Sequence, residues 1–327
     1  MNPPITYASL LGPCIARYIE LKQALGRQYT REHYILRHLD AFLATQDADC
    51  TADAFGAWCA TIIHLTPTVR RGWMQIVRNL CLYRQRSEPS CFVPDPRGFP
   101  SPHRAARPHL FTREEIIRML RTIEELPPSS ASPLRREVFR LALVLLYTAG
   151  LRRREVVRLT LADYDLVERT LTVRASKFHK SRLVPLSATA ANEMEAYLAK
   201  RQHFSSDSDD PLLYHPCRPS PCYTGAGLAG GLRDIFRRAD IRTSSGKRPR
   251  VHDLRHSFAH EALLRWYRAG VDVQAKLPAL ATYMGHVSVV STYYYLSMFE
   301  PFAEAASERF ARHCRPFIDE ASAGDAP

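Results

Sequence analysis

The stretch from Val251 to Ser297 constrains this chain more than any other, because reactive polar side chains gather there. It opens with V-H-D-L-R-H-S-F-A-H and closes with M-G-H-V-S-V-V-S-T-Y-Y-Y-L-S. His252 and Arg255 are three residues apart, so a helix would place them on one face. His286 follows a glycine, and Tyr295 comes nine residues after it. Two imidazoles, a guanidinium and a phenol are a poor basis for a core, and they suit a site that binds a phosphate and attacks it with a tyrosine.

Length and charge narrow the classes of partner. The chain has 327 residues, enough for two domains, and its net charge of +12 favours a polyanion such as nucleic acid or an anionic membrane. The longest apolar run, 141–147, is too short to span a bilayer, and the N-terminus lacks the features of a signal peptide. We therefore expect a cytoplasmic protein without membrane association, with nucleic acid as the favoured polyanion.

Two upstream motifs complete a family resemblance. T-A-G-L-R-R-R-E (148–155) and S-K-F-H-K-S-R-L-V-P-L (176–186) precede the H-x-L-R-H, G-H and Y elements. In this order and spacing they resemble the first arginine box, the lysine hairpin and the C-terminal signature of tyrosine recombinases, the phage-integrase family. Four motifs in order are far more specific than any one of them. Residues 263–273 and T-Y-Y-Y-L-S resemble integrases of bacterial transposable elements more than chromosome-dimer resolvases.

The cationic residues of the site are assigned by this resemblance. A phosphodiester is anionic and has a poor leaving group, so an enzyme that uses no metal must supply positive charge from side chains. Arg152 and Arg255 match the family arginines, whose forked donors can bind two phosphate oxygens. Glu155, three residues after Arg152, is expected to orient it. Lys177 matches the family's general acid; Lys180 is its rival in the same turn, or else an exposed DNA-phosphate contact.

The nucleophile implied by the resemblance is Tyr295. A phenol has a pKa near 10, so it needs a base and nearby cations to react at neutral pH. His252 is the candidate base, and His286 is expected to hydrogen-bond the scissile phosphate. Tyr293 and Tyr294 stand off the family spacing, and a helix would place residues 293 and 295 about 200° apart, so only one of them could face the site.

The predicted fold is mainly α (α+β). Residues 1–86 read as four helices, and the resemblance implies a core-binding (SAM-like) DNA domain. A proline-rich linker is expected over 87–108, a mixed α/β catalytic domain with a small antiparallel sheet over 109–317, and a flexible tail over 318–327.

Helix and strand signals fill in this outline. The fourth helix starts at Thr66-Pro67 and carries four arginines that we expect to contact the DNA backbone: Arg70, Arg71, Arg78 and Arg84. In the second domain, T-R-E-E at 112–115 predicts a capping box. Strands are expected within 163–185 and helices over 138–148, 188–203, 228–239, 252–269, 277–284 and 302–313. The G-x-G-x-x-G run at 225–230 predicts a helix entry rather than a dinucleotide site, since no strand leads into it.

These observations predict a site-specific DNA recombinase that forms a 3′-phosphotyrosyl link, without metal, ATP or another cofactor. His215, Cys217 and Cys222 lie close together but lack a zinc-finger spacing, so we expect loop residues there. Full strand exchange needs four active sites, so a homotetramer on DNA is expected, and partner recombinases stay open. The C-terminal helix could pack on its own chain or on a neighbour. The alternatives are a non-catalytic DNA-binding accessory protein on the same fold, or an enzyme like type IB topoisomerases.

Overall fold

The computed structural model describes residues 7–101, 107–174, 181–204, 207–216 and 222–286, together with Ser307, Ala311 and Arg315. The chain divides into two compact units, Met1–Ala106 and Arg107–Pro327. Ser307, Ala311 and Arg315 are helical and exposed. Lys177, Lys180, Tyr295 and the predicted tail at 318–327 lie outside the described residues.

The described part of the first unit is built from helices around one apolar core. Trp58, Leu39 and Val77 are fully buried at its centre, contributed by three different helices. Gly26 ends the first helix with a φ of 76°, a left-handed conformation that glycine adopts without strain. The helices are α1 (Gly12–Ala24), α2 (Thr30–Thr45), α3 (Ala52–Thr61) and α4 (Pro67–Arg84).

The segment after α4 packs onto this unit as far as residue 101. Phe99 is buried among the helical core residues. Arg78 donates a hydrogen bond to the carbonyl of Pro94, and Arg71 donates one to Pro100 at 3.2 Å. The helical unit therefore extends past residue 86 into the proline-rich segment, and the division between the units falls near its end.

The second unit contains a larger core flanked by helices and a small sheet. Helix α6 is its centre, with Val138, Leu141 and Leu145 almost fully buried. Gly231 of α9 allows α6 to approach, since a Cβ there would lie 2.0 Å from the ring of Phe139. The described helices are α5 (Arg113–Glu124), α6 (Arg135–Thr148), α7 (Arg153–Val156), α8 (Ala188–Arg201), α9 (Gly225–Arg238), α10 (Asp253–Arg268) and α11 (Val273–Met284).

The predicted strands form an antiparallel sheet in the order β1-β2-β3. Its strands are β1 (Tyr164–Asp165), β2 (Thr170–Val173) and β3 (Arg182–Pro185). Leu171 pairs with Val184, and both side chains face the core. A mainly α fold with a small antiparallel sheet was predicted, and the structure confirms it.

Helix starts follow the predicted chemistry, but three helices begin earlier than predicted. Helix α6 begins at Arg135 rather than at 138. The capping box of Thr112 and Glu115 is present. Helix α9 begins at Gly225, earlier than predicted, because Thr224 caps it by accepting from the backbone N–H of Gly227. Helix α11 begins at Val273 rather than 277, because Asp272 caps it and Pro278 is accommodated inside the helix.

Candidate active site

Three chain segments far apart in sequence meet at the carboxyl end of α11. They are the turn after α6 with Gly150 and Arg152, the start of α10 with His252 and Arg255, and the Gly285-His286 pair. The α10 start and the α11 end are brought together because the two helices form an antiparallel pair with a shared core around Leu263 and Leu277.

Arg255 links two of these segments from inside the protein. Its side chain is 1% exposed. One Nη donates to the carbonyl of Gly150 and the other to the carbonyl of Met284. The guanidinium therefore connects the end of α6 to the last turn of α11, whose carbonyl groups lack helical partners and attract a cation.

Arg152 occupies the more open side of the site. Its side chain is 24% exposed. Nη1 donates to Oε1 of Glu155 at 2.8 Å, and Nη2 donates to the carbonyl of Gly285 at 2.6 Å. Glu155 also accepts from the backbone N–H of Arg152 at 2.8 Å. Glu155 therefore contacts both the backbone and the side chain of Arg152, and its orienting role stays a prediction.

A third arginine, Arg182 on β3, belongs to the same cluster and was not predicted. Its two Nη atoms donate to both oxygens of Glu155 at 3.0 and 2.9 Å, and Nε donates to the carbonyl of Tyr283 at 2.7 Å. Its side chain is 9% exposed and that of Glu155 is 6% exposed. Glu155 therefore sits between two guanidinium groups, and their combined charge exceeds its own.

The charge on Glu155 is maintained by these donors. Burial alone would raise its pKa, but the hydrogen bonds from Arg182 and from the backbone of Arg152 outweigh burial and lower the pKa to about 2. The carboxylate is therefore ionised at any pH where the protein works.

Gly285 is required by this arrangement. Its φ is 65°, and a Cβ there would lie 2.8 Å from Nη1 of Arg182 and 3.3 Å from Nη1 of Arg152. The left-handed residue ends α11, and the N–H of His286 then donates to the carbonyl of Ala281 at 2.8 Å. Only a residue without a side chain lets both guanidinium groups approach the turn that positions His286.

The two predicted site histidines are held neutral. Burial and the charges of Arg255 and Arg152 lower the pKa of His286 to about 4. The pKa of His252 is also lowered, by burial and by the charge of Arg255. The ring of His256 lies edge-on against that of His252, with centroids 4.7 Å apart. Neutral imidazoles can each accept a proton or offer one N–H donor.

One described tyrosine lies beside the site but is unsuited to attack. The hydroxyl of Tyr283 donates to the carbonyl of Pro185 at 3.3 Å, and burial raises its pKa to about 12. The structure thus brings together Arg152, Glu155, His252, Arg255 and His286, while Lys177, Lys180 and Tyr295 lie outside the described residues.

The four arginines predicted for DNA binding lie in the other unit, and Arg71, Arg78 and Arg84 contact protein atoms there. Arg84 pairs with Asp49 at 2.6 Å and with Glu88 at 2.7 Å. Arg71 and Arg78 hold the segment after α4. Their contact with DNA stays a prediction, and their contribution to folding is visible.

Membrane-spanning helices and metal-binding clusters are both absent from the described residues. No helix among them is both long and apolar enough to cross a membrane. Among the same residues, no group of three or more His, Cys, Asp or Glu side chains is arranged to hold a metal ion.

The mixed fold and the cluster of arginines and histidines define a class of protein, and comparison with known proteins identifies it. The family model of the phage integrase family matches residues 110–300. The chain therefore belongs to the phage integrase family, the tyrosine-recombinase class of enzymes.

Relatives and solved structures agree with this assignment. A curated relative from Sinorhizobium fredii, with the integrase/recombinase name y4rB, is 32% identical over 91% of this chain and 96% of its own. The tyrosine recombinase XerA of Thermococcus kodakarensis is 31% identical over 62% of each chain. The Tn1549 transposon integrase in complex with transposon right end DNA superposes with a TM-score of 0.65 and 16% identity over 94% of this chain and 100% of that one. XerH in a post-cleavage complex with palindromic difH gives a TM-score of 0.62 and 17% identity over 84% and 78%. At these identities the superpositions show the fold alone.

Proposed function

We propose that this protein is a site-specific DNA recombinase of the integrase or transposase type, which cuts and rejoins DNA through a tyrosine. The observation that carries the proposal is the convergence of Arg152, Arg255, His252 and His286 at the end of α11. The structures of relatives bound to DNA support double-stranded DNA as the substrate.

Arg152 and Arg255 would bind the scissile phosphate. A guanidinium has five N–H donors, and the side-chain contacts of Arg152 to Glu155 and Gly285 use two of them. The guanidinium is partly exposed, at 24%, so its other donors can reach phosphate oxygens. As negative charge builds on the phosphorane, a pre-positioned cation that needs no reorganisation lowers the barrier.

The covalent step is assigned to Tyr295. Its Oη attacks phosphorus, a P–O bond to the tyrosine forms, and the P–O5′ bond breaks. His252 takes the phenol proton, and Lys177 gives a proton to the departing 5′ oxygen. His286 donates a hydrogen bond to a non-bridging oxygen. The products are a 3′-phosphotyrosyl end and a free 5′ hydroxyl, and attack by a partner strand's 5′ hydroxyl reverses the step.

Each step breaks one phosphoester bond and forms another. The bond energy is therefore kept, and strand exchange needs neither ATP nor a metal. Exchange of two duplexes uses four strand cuts, which supports a homotetramer on DNA. The resemblance of residues 263–273 to integrases of bacterial transposable elements supports a transposable element as the genetic setting.

A nicked duplex from the ends of the element tests the proposal. The nick lies close to the cut, so the short fragment that carries the free 5′ hydroxyl diffuses away and cannot reverse the reaction. Wild-type protein should accumulate a denaturant-resistant DNA adduct, and Tyr295→Phe should abolish it while retaining DNA binding. Tyr294→Phe is the matched control and should retain the adduct. If the wild type forms no adduct under conditions that assemble the complex, the chain is a DNA-binding accessory protein instead. Relaxation of supercoils without a specific site would favour topoisomerase-like chemistry.

A further inference from the structure

A second cationic cleft opens beside the cluster at the end of α11, and most of its lining residues have no role in the chemistry above. Its volume is about 550 Å³. Arg152 and His252 form its shared edge with the candidate active site. The remaining lining comes from α7, α9 and the loop before α10: Arg153, Arg154, Ala229, Arg233, Arg248, Pro249, Arg250 and Val251.

Most of the charge in this cleft is unneutralised. Within the described parts of the chain, no carboxylate pairs with Arg153, Arg154, Arg233 or Arg248. Arg250 does pair, with Asp253 at 2.9 Å. Four like charges around one hollow repel one another, so an anionic occupant would stabilise the arrangement.

The loop that carries two of these arginines is held in place by its proline. Pro249 is buried, whereas Arg248 and Arg250 on either side are exposed. On the opposite wall, Arg153 lies close to the start of α9, with Nε 3.6 Å from where a Cβ on Gly225 would be. The cleft is therefore built from anchored segments that present guanidinium groups to solvent.

We infer that this cleft is a second phosphate-binding subsite, which holds the DNA backbone next to the scissile phosphate. The inference rests on the proposed function, because it takes the occupant to be the same DNA strand. Six of the ten lining residues are arginines, and guanidinium groups bind phosphate oxygens through paired N–H donors. A duplex places a phosphate about every 3.4 Å of axis along each strand, so the strand that enters the active site must carry further phosphates past its rim.

A salt titration of DNA binding tests the subsite without any need for cleavage. The probe is a 30-base-pair duplex of arbitrary sequence, and the variant is Arg154→Gln/Arg248→Gln. Each phosphate contact contributes about 0.9 to the slope of log Kd against log salt, so the slope should fall by about 1.8. Between 50 and 200 mM salt, the variant should then lose about 12-fold less affinity than the wild type.

Arg265→Gln/Arg268→Gln is the matched control. Both residues are exposed, neither forms an ion pair with a described residue, and they lie at the far end of α10, about 20 Å along its axis from the cleft. This control should keep the wild-type slope, and Arg154→Lys/Arg248→Lys should restore it. An unchanged slope in the cleft variant, or an equal fall in the control, would overturn the inference.

A second experiment locates the phosphates that the cleft binds. Single phosphates of a duplex with a mapped cleavage site are replaced, one at a time, by neutral methylphosphonates. Wild-type affinity should fall at one or two phosphates flanking the cut, and the cleft variant should lose that sensitivity. If the sensitivity is lost only at the scissile phosphate, the cleft is part of the active site and the subsite is refuted. Failure of the proposed function would show separately, as absence of the covalent adduct with the salt result unaffected.

Discussion

At the scale of single residues, the central feature is a buried carboxylate shared by two arginines. Glu155 accepts hydrogen bonds from Arg152 and Arg182, so a loss on either side of it changes the charge balance of the whole cluster. Arg152 faces the open side, whereas Arg182 is enclosed between β3 and α11. We therefore expect Arg182 to position the site rather than to contact the phosphate.

Glu155→Gln should remove a pH-dependent part of the stability. The folded pKa of about 2 lies below the ordinary 4.5, so the ionised group stabilises the fold above about pH 4.5, and this stabilisation is lost as pH falls towards 2. The shift corresponds to a contribution by Glu155 on the order of 3 kcal/mol to the free energy of unfolding. Urea unfolding at several pH values should show the wild-type advantage over Glu155→Gln shrinking across that window. An advantage that is constant with pH would contradict the assignment.

Arg182→Gln tests the positioning role. With one partner removed, Glu155 would draw Arg152 inward, and adduct formation should slow by about 10- to 100-fold, as expected for loss of one or two charged hydrogen bonds. DNA affinity should change little. Arg182→Lys should restore part of the rate, because it keeps a cation but not the fork. A loss of affinity with an unchanged rate at saturating protein would show that Arg182 binds DNA directly.

Gly285→Ala separates backbone strain from crowding of the arginines. Both Gly285 and Gly270 have positive φ, 65° and 72°, but a Cβ on Gly270 meets nothing within 4 Å. Alanine should therefore cost each site about 1–2 kcal/mol of stability in thermal unfolding. Only Gly285→Ala should also lose adduct formation, since its Cβ displaces Arg182 and Arg152. Equal losses of activity in both variants would contradict this account.

At the scale of secondary-structure elements, helix contacts place the site. Arg255 joins the end of α6 to α11, and α9 packs against α6 at Phe139. Adjacent glycines in α9 provide a direct test of that packing.

Gly231→Ala should destabilise the protein, whereas Gly230→Ala should stabilise it. The added Cβ at Gly231 would lie 2.0 Å from the ring of Phe139, but at Gly230 it meets nothing within 4 Å. We expect a loss of about 1–3 kcal/mol from overpacking in the first variant and a gain of up to about 1 kcal/mol from helix propensity in the second. Thermal unfolding of both proteins provides the comparison. The same sign in both would show that α6 and α9 do not pack as described.

The sequence predicted the site residues better than the residues that hold them in place. The arginine and histidine motifs predicted which segments would meet, because their order and spacing resemble those of tyrosine recombinases. Arg182 was not predicted, because an arginine on a short, half-exposed strand is usually solvent-facing. Its partners Glu155 and Tyr283 are also remote in sequence. The packing of Phe99 onto the helical unit was hidden for a similar reason, since prolines around it indicate an irregular chain and not where that chain lies.

At the scale of the whole molecule, the two units use their arginines differently. The helical unit shows arginines engaged with its own chain, and the second unit carries the unneutralised arginines of the cleft beside the candidate active site. Strong positive charge next to the reacting phosphate both attracts DNA and stabilises the charge that develops during cleavage.

The proposed reaction requires a covalent bond between DNA and one particular tyrosine. Peptide mapping of the trapped adduct identifies that tyrosine directly. Trypsin should release residues 277–309 as one peptide, which contains Tyr283 and the three consecutive tyrosines. Fragmentation by mass spectrometry should place the 3′-phosphonucleotide on Tyr295. A nucleotide on Tyr283, Tyr293 or Tyr294, or on a residue outside this peptide, would contradict the account.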